Sequence, residues 1–197
     1  MSVIREYLID LDQQWSWLQQ DRITLNVIGS GALFLQTSYE RGTKDADVFE
    51  LNPPSPEEEQ RLRSFAGRGT ELHKKHRMYL DIVHARVPYV PRVPIFHEQT
   101  DLFLKNFQVF ALDVVDVVVS KLKPFRPNDR EDIAAMVKGG FVDHQKLVER
   151  FNGLVARWDF DARAEDLPHC VKNLHNVERN IFGVEESVIE LPSWVAE

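Results

Sequence analysis

Residues 24–51 read TLNVIGSGALFLQTSYERGTKDADVFEL, and this stretch decides the fold. It opens with a short apolar run that is typical of a β-strand, and Gly29-Ser30-Gly31 ends that run. A segment with helical character follows, and a second strand-like run then carries Asp45 and Asp47. A strand, a glycine turn, a helix and a second strand, in this order, predict a sheet with helices packed against it.

The two aspartates of this stretch are spaced as a pair. Asp45 and Asp47 share one face of a strand, because side chains alternate with a period of two. Like charges held so close resist ionising together unless a cation lies between them. Taken alone, such a pair is more typical of a solvated strand end than of a metal site.

A third carboxylate favours the metal site. Asp81 lies within the apolar run MYLDIV, residues 78–83, where a lone aspartate is costly to bury unless it is paired or bound to a metal. If this strand lies beside the one that carries Asp45 and Asp47, three carboxylates converge. Hard oxygen ligands suit Mg²⁺ or Mn²⁺, so we expect these three residues to be metal ligands.

The glycine turn predicts a phosphate-binding element. Glycine lets the chain approach a ligand closely, and a turn that leads into a helix offers backbone N–H groups to phosphate oxygens. We therefore expect Gly29 and Ser30 to contact phosphate. Arg41 has two open interpretations: a bidentate phosphate contact or a surface ion pair.

The rest of the chain predicts an α+β protein with a small mixed β-sheet, flanking helices and a helical C-terminal half. Residues 1–112 are expected to form the α/β core with an N-terminal helix, and residues 113–197 a helical region packed on that core. Three prolines over 88–94 exclude regular structure there. The predicted strands span 24–28, 46–51, 77–85 and 107–111. The predicted helices span 3–19, 32–39, 56–65 with Ser55 as cap, 112–123 with Asp113 as cap, 128–137, 143–157 and 165–182.

Composition excludes several classes of protein. The 197 residues are 43% hydrophobic and 28% charged, as in an ordinary soluble protein. The formal net charge of −7 gives no overall nucleic-acid-binding character. The single Cys170 cannot form an internal disulfide, and the sequence has no apolar run long enough to cross a bilayer and no signal-peptide pattern. We expect a cytoplasmic protein that does not bind membranes.

The motifs together resemble the nucleotidyltransferase superfamily of the DNA polymerase β type. Its pattern is a Gly-Gly or Gly-Ser turn, a helix, an Asp-x-Asp strand and a later strand aspartate. Here the turn is Gly29-Ser30, the Asp-x-Asp strand follows RGTK at 41–44, and the later aspartate is Asp81. The segment SKLKPFRPNDREDI, residues 120–133, is similar to the Lys … Arg … Asp-x-x-Asp signature of AbiEii-type toxins. The match is closer still to an uncharacterised bacterial family of nucleotidyltransferase-like proteins.

The resemblance covers roughly residues 20–140, with departures. Fourteen residues separate Ser30 from Asp45, slightly more than the motif usually has. Ala46 is small where the superfamily usually has a larger apolar residue, and Asn128 stands where the toxin branch often has a basic one. None of these departures removes a carboxylate. They therefore weaken the assignment to a subfamily more than they weaken the expected chemistry.

The resemblance implies an enzyme that moves a nucleotidyl group from a nucleoside triphosphate, such as ATP, to an acceptor with the help of two Mg²⁺ ions. Its catalytic residues would be Asp45, Asp47, Asp81 and Lys121, with Lys121 contacting phosphate. The acceptor stays open between a protein, a tRNA end and a small molecule. The toxin branch also implies a possible antitoxin-like protein partner. The alternative is a module that keeps the fold and binds nucleotide or protein without turnover.

Two further groups of residues have open interpretations. Lys121 could be a helix lysine whose ammonium simply reaches solvent. Asp129 and Asp132 could interact with a helix dipole or orient Lys121. His73 and His76 lie in a run with neighbouring cations and no cysteine, which predicts a solvated basic turn rather than a metal site, and the same prediction covers His84.

Overall fold

The computed structural model of this chain describes residues 2–15, 22–41, 45–49, 55–83 and 89–195, with 45–49 as backbone only. Two compact units are present, Met1–Pro88 with Phe96–Leu112, and Tyr89–Ile95 with Asp113–Glu197. The two-domain organisation expected from the sequence stays a prediction.

The first unit contains a five-stranded mixed sheet. Its strands are β1 (Ile23–Val27), β2 (Asp45–Phe49), β3 (Tyr79–Val83), β4 (Phe96–Glu98) and β5 (Phe107–Leu112). They are ordered β3-β2-β1-β5-β4 across the sheet. The pairs β1–β5 and β2–β3 are parallel, whereas β1–β2 and β4–β5 are antiparallel. The predicted α+β class with a small mixed sheet is therefore confirmed.

Four helices accompany this sheet: α1 (Val3–Gln14), α2 (Gly29–Gln36), α3 (Pro56–Ala66) and α4 (Glu71–His76). The predicted Ser55 cap is confirmed, since Ser55 and Glu58 form a reciprocal capping box at the start of α3. The sequence-based start of α2 at residue 32 was three residues late, because Gly29 and Ser30 already belong to the helix. Both α4 and β4 were missed, since α4 has only six residues, five of them polar, and β4 has three residues of mixed character, too few to show a clear periodicity.

The second unit is helical. Its helices are α5 (Val114–Lys121), α6 (Pro127–Lys138), α7 (His144–Trp158) and α8 (Leu167–Val177), and α8 continues into a π-helical turn, Glu178–Phe182. Asp113 caps α5 as predicted, accepting a hydrogen bond from the N–H of Val115. No helix in the described part of the chain has the length and hydropathy needed to cross a membrane.

The irregular segment 89–95 is held to this helical unit by one buried carboxylate. Asp116 on α5 is fully buried and accepts from both the Nε and an Nη of Arg150, at 2.5 and 2.6 Å. The same carboxylate accepts from the N–H of Ile95 at 2.9 Å, and Arg150 donates to the carbonyl of Val93. The hydrogen bond to Asp116 raises the pKa of the Arg150 guanidinium. Proline prevents regular structure in this segment, and side chains of the helices replace its missing backbone bonds.

The prediction of a solvated basic turn at residues 73–76 is wrong for His76. The side chain of His76 is only 7% exposed, and its Nε2 lies 2.6 Å from a carboxylate oxygen of Asp10 on α1. Lys75 reaches the same oxygen. The prediction for His84 lies outside the described residues. Lys75 and His76 therefore pair α4 with α1, whereas Lys74 is exposed and pairs within α4.

Asp10 gives this contact a pH dependence. The hydrogen bond from Lys75, assisted by His76, holds the pKa of the Asp10 carboxyl below its usual value despite partial burial. A depressed folded-state pKa adds stability above the unfolded value of about 3.9, and this stability is lost as the pH falls through the lower folded value. We expect wild type to lose more unfolding free energy below about pH 4 than Asp10→Asn does.

Urea denaturation over a pH series would measure this difference. Glu71→Gln is the matched control, because Glu71 is 84% exposed and its ion pair lies within α4. Parallel pH profiles for wild type and Asp10→Asn would contradict the prediction.

Candidate active site

The register of two parallel strands brings Asp47 and Asp81 together. In the β2–β3 pair Asp47 lies directly opposite Asp81, and Asp45 lies opposite Tyr79. Residues opposite each other on neighbouring strands share a face of the sheet, at a strand separation of about 4.8 Å. The backbone therefore places all three aspartate positions at adjoining points of one face, as the metal-site hypothesis requires.

The antiparallel pairing of β1 with β2 brings the glycine turn to the same end of the sheet. Val27 lies opposite Val48. One step further in this register, Ile28 falls opposite Asp47, and Gly29 follows immediately. The chain therefore leaves β1 and enters α2 beside the start of β2, where the aspartates lie.

Asp81 lies on the accessible face of its strand. Burial alternates along β3, with Leu80 and Ile82 only 3% and 6% exposed and Asp81 of intermediate exposure. The carboxylate thus points away from the apolar packing that its sequence neighbours suggest. A cation or a substrate can approach this face without displacing the core.

The start of α2 has the geometry of an anion-binding turn. Gly29 has φ of 62°, in the left-handed region that favours glycine, and it is the first helical residue. The N–H groups in the first turn of a helix have no partner within the helix and carry the positive end of its dipole. Arg41 donates a hydrogen bond to Oγ of Ser30 at 2.9 Å. Two of the residues predicted to bind phosphate are therefore in contact.

The oxygen donors of this region fit Mg²⁺ or Mn²⁺ by their chemistry. Among the described side chains, no group of three His, Cys, Asp or Glu residues is close enough to hold a metal ion. That statement does not extend to Asp45 and Asp47, whose side chains lie outside the described part, as do residues 42–44 of the motif. The metal site stays a prediction supported by backbone register.

Lys121 lies in the second unit and has carboxylate partners. The side chain is at the end of α5 with a residue exposure of 6%, and its Nζ is 3.1 Å from Asp129 and 2.9 Å from Asp132. Asp132 is fully buried, and Asp129 also accepts from the N–H of Arg126 at the start of α6. The predicted Lys … Arg … Asp-x-x-Asp segment is thus one ion-pair network between α5 and α6. A phosphate contact by Lys121 stays a prediction.

A comparison with family models identifies the chain's relatives. The model described as "Nucleotidyltransferase of unknown function (DUF6036)" matches residues 6–179. This chain belongs to the DUF6036 family. The DUF6036 match begins in α1 and ends in the π-helical turn, so it is wider than the region 20–140 expected from the motifs, and it includes both units. No curated protein and no solved structure matches the chain. The relation to AbiEii-type toxins and to the DNA polymerase β fold stays a prediction.

Proposed function

We propose that this chain is a metal-dependent nucleotidyltransferase that moves a nucleoside monophosphate group from a nucleoside triphosphate to a hydroxyl group of an acceptor. The observation that carries the proposal is the register of β2 and β3, which sets Asp47 opposite Asp81 beside the start of α2. Membership of a family described as nucleotidyltransferases supports the reaction class. The acceptor belongs to one of three classes: a protein, a tRNA end or a small molecule.

The residues have separate roles in this reaction. Two Mg²⁺ ions held by Asp45, Asp47 and Asp81 would neutralise the triphosphate and bring the reacting oxygens into line. The backbone N–H groups of Gly29 and Ser30 donate to phosphate oxygens and fix the triphosphate against α2.

Transfer forms a bond between the acceptor oxygen and the α-phosphorus, breaks the bond from that phosphorus to the bridging oxygen and releases pyrophosphate. Asp81 lies on the accessible face, where it can orient the acceptor hydroxyl and take up its proton. Arg41, which already donates to Ser30, adds positive charge beside the triphosphate.

Calorimetric titration with ATP, GTP, CTP and UTP tests the proposal. We expect wild type to have, for at least one of them, a site that is filled in Mg²⁺ and empty in EDTA, because the carboxylates repel the triphosphate unless cations intervene. Asp81→Asn should lose the metal-dependent binding, whereas Glu71→Gln, on the exposed side of α4, should retain it. Absence of any site that requires Mg²⁺, or an unchanged Mg²⁺-dependent site in Asp81→Asn, would refute the metal site.

One observation favours a second candidate, a nucleotide- or protein-binding module without turnover. The ammonium of Lys121, predicted to contact phosphate, is already neutralised by Asp129 and Asp132. Incubation with cell extract and each triphosphate labelled at the α-phosphate separates the two candidates. Label transferred to a macromolecule or a metabolite supports the enzyme, and the nature of the product identifies the acceptor. Metal-dependent binding without transfer supports the module, which would fit a protein that forms a pair with an antitoxin-like partner.

A further inference from the structure

A cavity of about 300 Å³ lies at the other end of the sheet. Its walls come from the residue that precedes β1, the residues that precede and begin β5, the end of β4 and the segment after it. They include Arg22, Glu98, Thr100, Phe103, Lys105 and Phe107. The five residues of β1 separate this end from the Gly29 turn, a distance of roughly 17 Å. The volume is at the lower limit for sites that bind small molecules.

Phe103 at the cavity ends the short 3₁₀-helix Thr100–Leu102 in a conformation that is unusual for a bulky residue. Its side chain is 88% exposed, and its φ of 50° lies in the left-handed region. Bulky residues rarely adopt this region, because Cβ crowds the backbone there, and glycine or asparagine would be less strained. Strained backbone that the fold retains is concentrated at ligand-binding positions. An exposed aromatic ring on such a residue offers a flat surface on which another ring can stack.

Charged side chains of opposite sign lie at two sides of the cavity, with Arg22 and Lys105 at one and Glu98 at the other. Arg22 precedes β1 and Lys105 precedes β5, both exposed, and neither side chain has an ion-pair partner within the described residues. The loop that carries Lys105 is fixed, because the carboxylate of Asp12 accepts from the N–H groups of Lys105 and Asn106. Glu98 at the end of β4 is held by the side-chain amide of Gln108 at 2.9 Å.

The strand order sets the distance between these charges. Because β5 lies between β1 and β4, Arg22 and Glu98 are two strand spacings apart across the sheet, roughly 10 Å, and the register offsets them by four further residues along the strands. An anion would be attracted to the side with Arg22 and Lys105 and repelled from the side with Glu98. A ligand that fits must therefore carry its negative charge at one end and a hydrogen-bond donor at the other.

We propose that this cavity is a second ligand site, which binds a nucleotide without a metal ion. The base stacks on Phe103, the phosphate lies against Arg22 and Lys105, and Glu98 accepts a hydrogen bond from an exocyclic amino group of the base. The site does not use Asp45, Asp47 or Asp81, so the proposal goes beyond the transfer reaction and does not depend on it. The nucleotide has two possible sources, a free mononucleotide or one residue of a single strand.

Calorimetric titration with adenosine 5′-monophosphate in EDTA tests this site alone, because EDTA removes the metal ions that the transfer site needs. We expect wild type to bind. Removal of an aromatic side chain on which a base stacks lowers the affinity roughly 5- to 150-fold. We expect Phe103→Ala to weaken binding by about that factor. The control is Phe160→Ala, since Phe160 is 97% exposed and lies in the other unit.

Three further titrations test the rest of the site. Lys105→Gln should weaken binding and reduce its dependence on salt, whereas Lys172→Gln, at an exposed position of α8, should not. Inosine 5′-monophosphate, which lacks the amino group, should bind more weakly than adenosine 5′-monophosphate. Equal affinity per site for the mononucleotide and for oligoadenylate identifies a free nucleotide as the ligand, and higher affinity for the oligomer identifies a strand.

The stability of one variant separates binding from folding. Phe103→Asn relieves the left-handed strain, so its melting temperature should equal or exceed that of wild type while the nucleotide affinity is lost. Absence of binding by wild type in EDTA, or full affinity in Phe103→Ala, would overturn the proposal. So would a lower melting temperature in Phe103→Asn together with retained affinity, because Phe103 would then serve only the fold.

Discussion

Asp47→Asn is expected to lower the rate of nucleotidyl transfer on the order of 100- to 1,000-fold, because metal ions stabilise the charge of the transition state by several kcal/mol and each 1.4 kcal/mol is a factor of ten. Asparagine keeps the size of the side chain and removes its charge. Since Asp81 lies opposite Asp47, Asp81→Asn should show a loss of similar size. Label transfer from the α-phosphate of the preferred triphosphate measures the rate.

Thermal unfolding distinguishes this loss from a loss of fold. In EDTA the neighbouring carboxylates repel one another, so Asp47→Asn should melt at the same temperature as wild type or higher. Mg²⁺ should raise the melting temperature of wild type by binding the folded state, and should raise that of the variant much less. If Mg²⁺ stabilises both proteins equally and transfer persists, Asp47 is not a ligand. Glu71→Gln should behave as wild type in both measurements.

The sequence predicts the elements around this site better than their arrangement. Alternation of side chains identifies β2 and β3, and the Ser55 cap identifies α3 between them. A crossover connection between the two strands was therefore foreseeable. The register that sets Asp47 opposite Asp81 is a long-range property with no local signal. The start of α2 was also misplaced, because a glycine with positive φ can end a strand and begin a helix without an intervening loop.

Residues whose roles depend on distant partners were the least predictable. His76 has the sequence neighbours of a solvated turn, and only the packing of α4 on α1 gives it Asp10. Phe103 has no sequence signal at all, since its strain and its exposure arise from the path of the loop after β4. Motifs report residue types and spacing, whereas these features follow from tertiary contacts.

Lys121→Met is expected to lower the free energy of unfolding by about 3–5 kcal/mol, the usual cost of removing one partner from a buried ion pair. The variant would leave Asp132, which is fully buried, without the ammonium that lies 2.9 Å away, and it would remove the partner of Asp129 as well. Urea denaturation measures the loss. Lys172→Met, at an exposed position of α8, is the matched control and should change stability by less than about 0.5 kcal/mol.

A double variant tests whether the loss comes from the pair. If Lys121 and Asp132 stabilise each other, Lys121→Met combined with Asp132→Asn should cost less than the sum of the two single variants, because the second change removes the uncompensated charge. The predicted phosphate contact gives a different outcome. Lys121→Met would then lose affinity for the triphosphate while its unfolding free energy stayed within about 1 kcal/mol of wild type, and the costs of the two substitutions would add. The two carboxylates already neutralise the buried ammonium, so it attracts a phosphate only weakly. We therefore expect the double variant to cost less than the sum of the single variants.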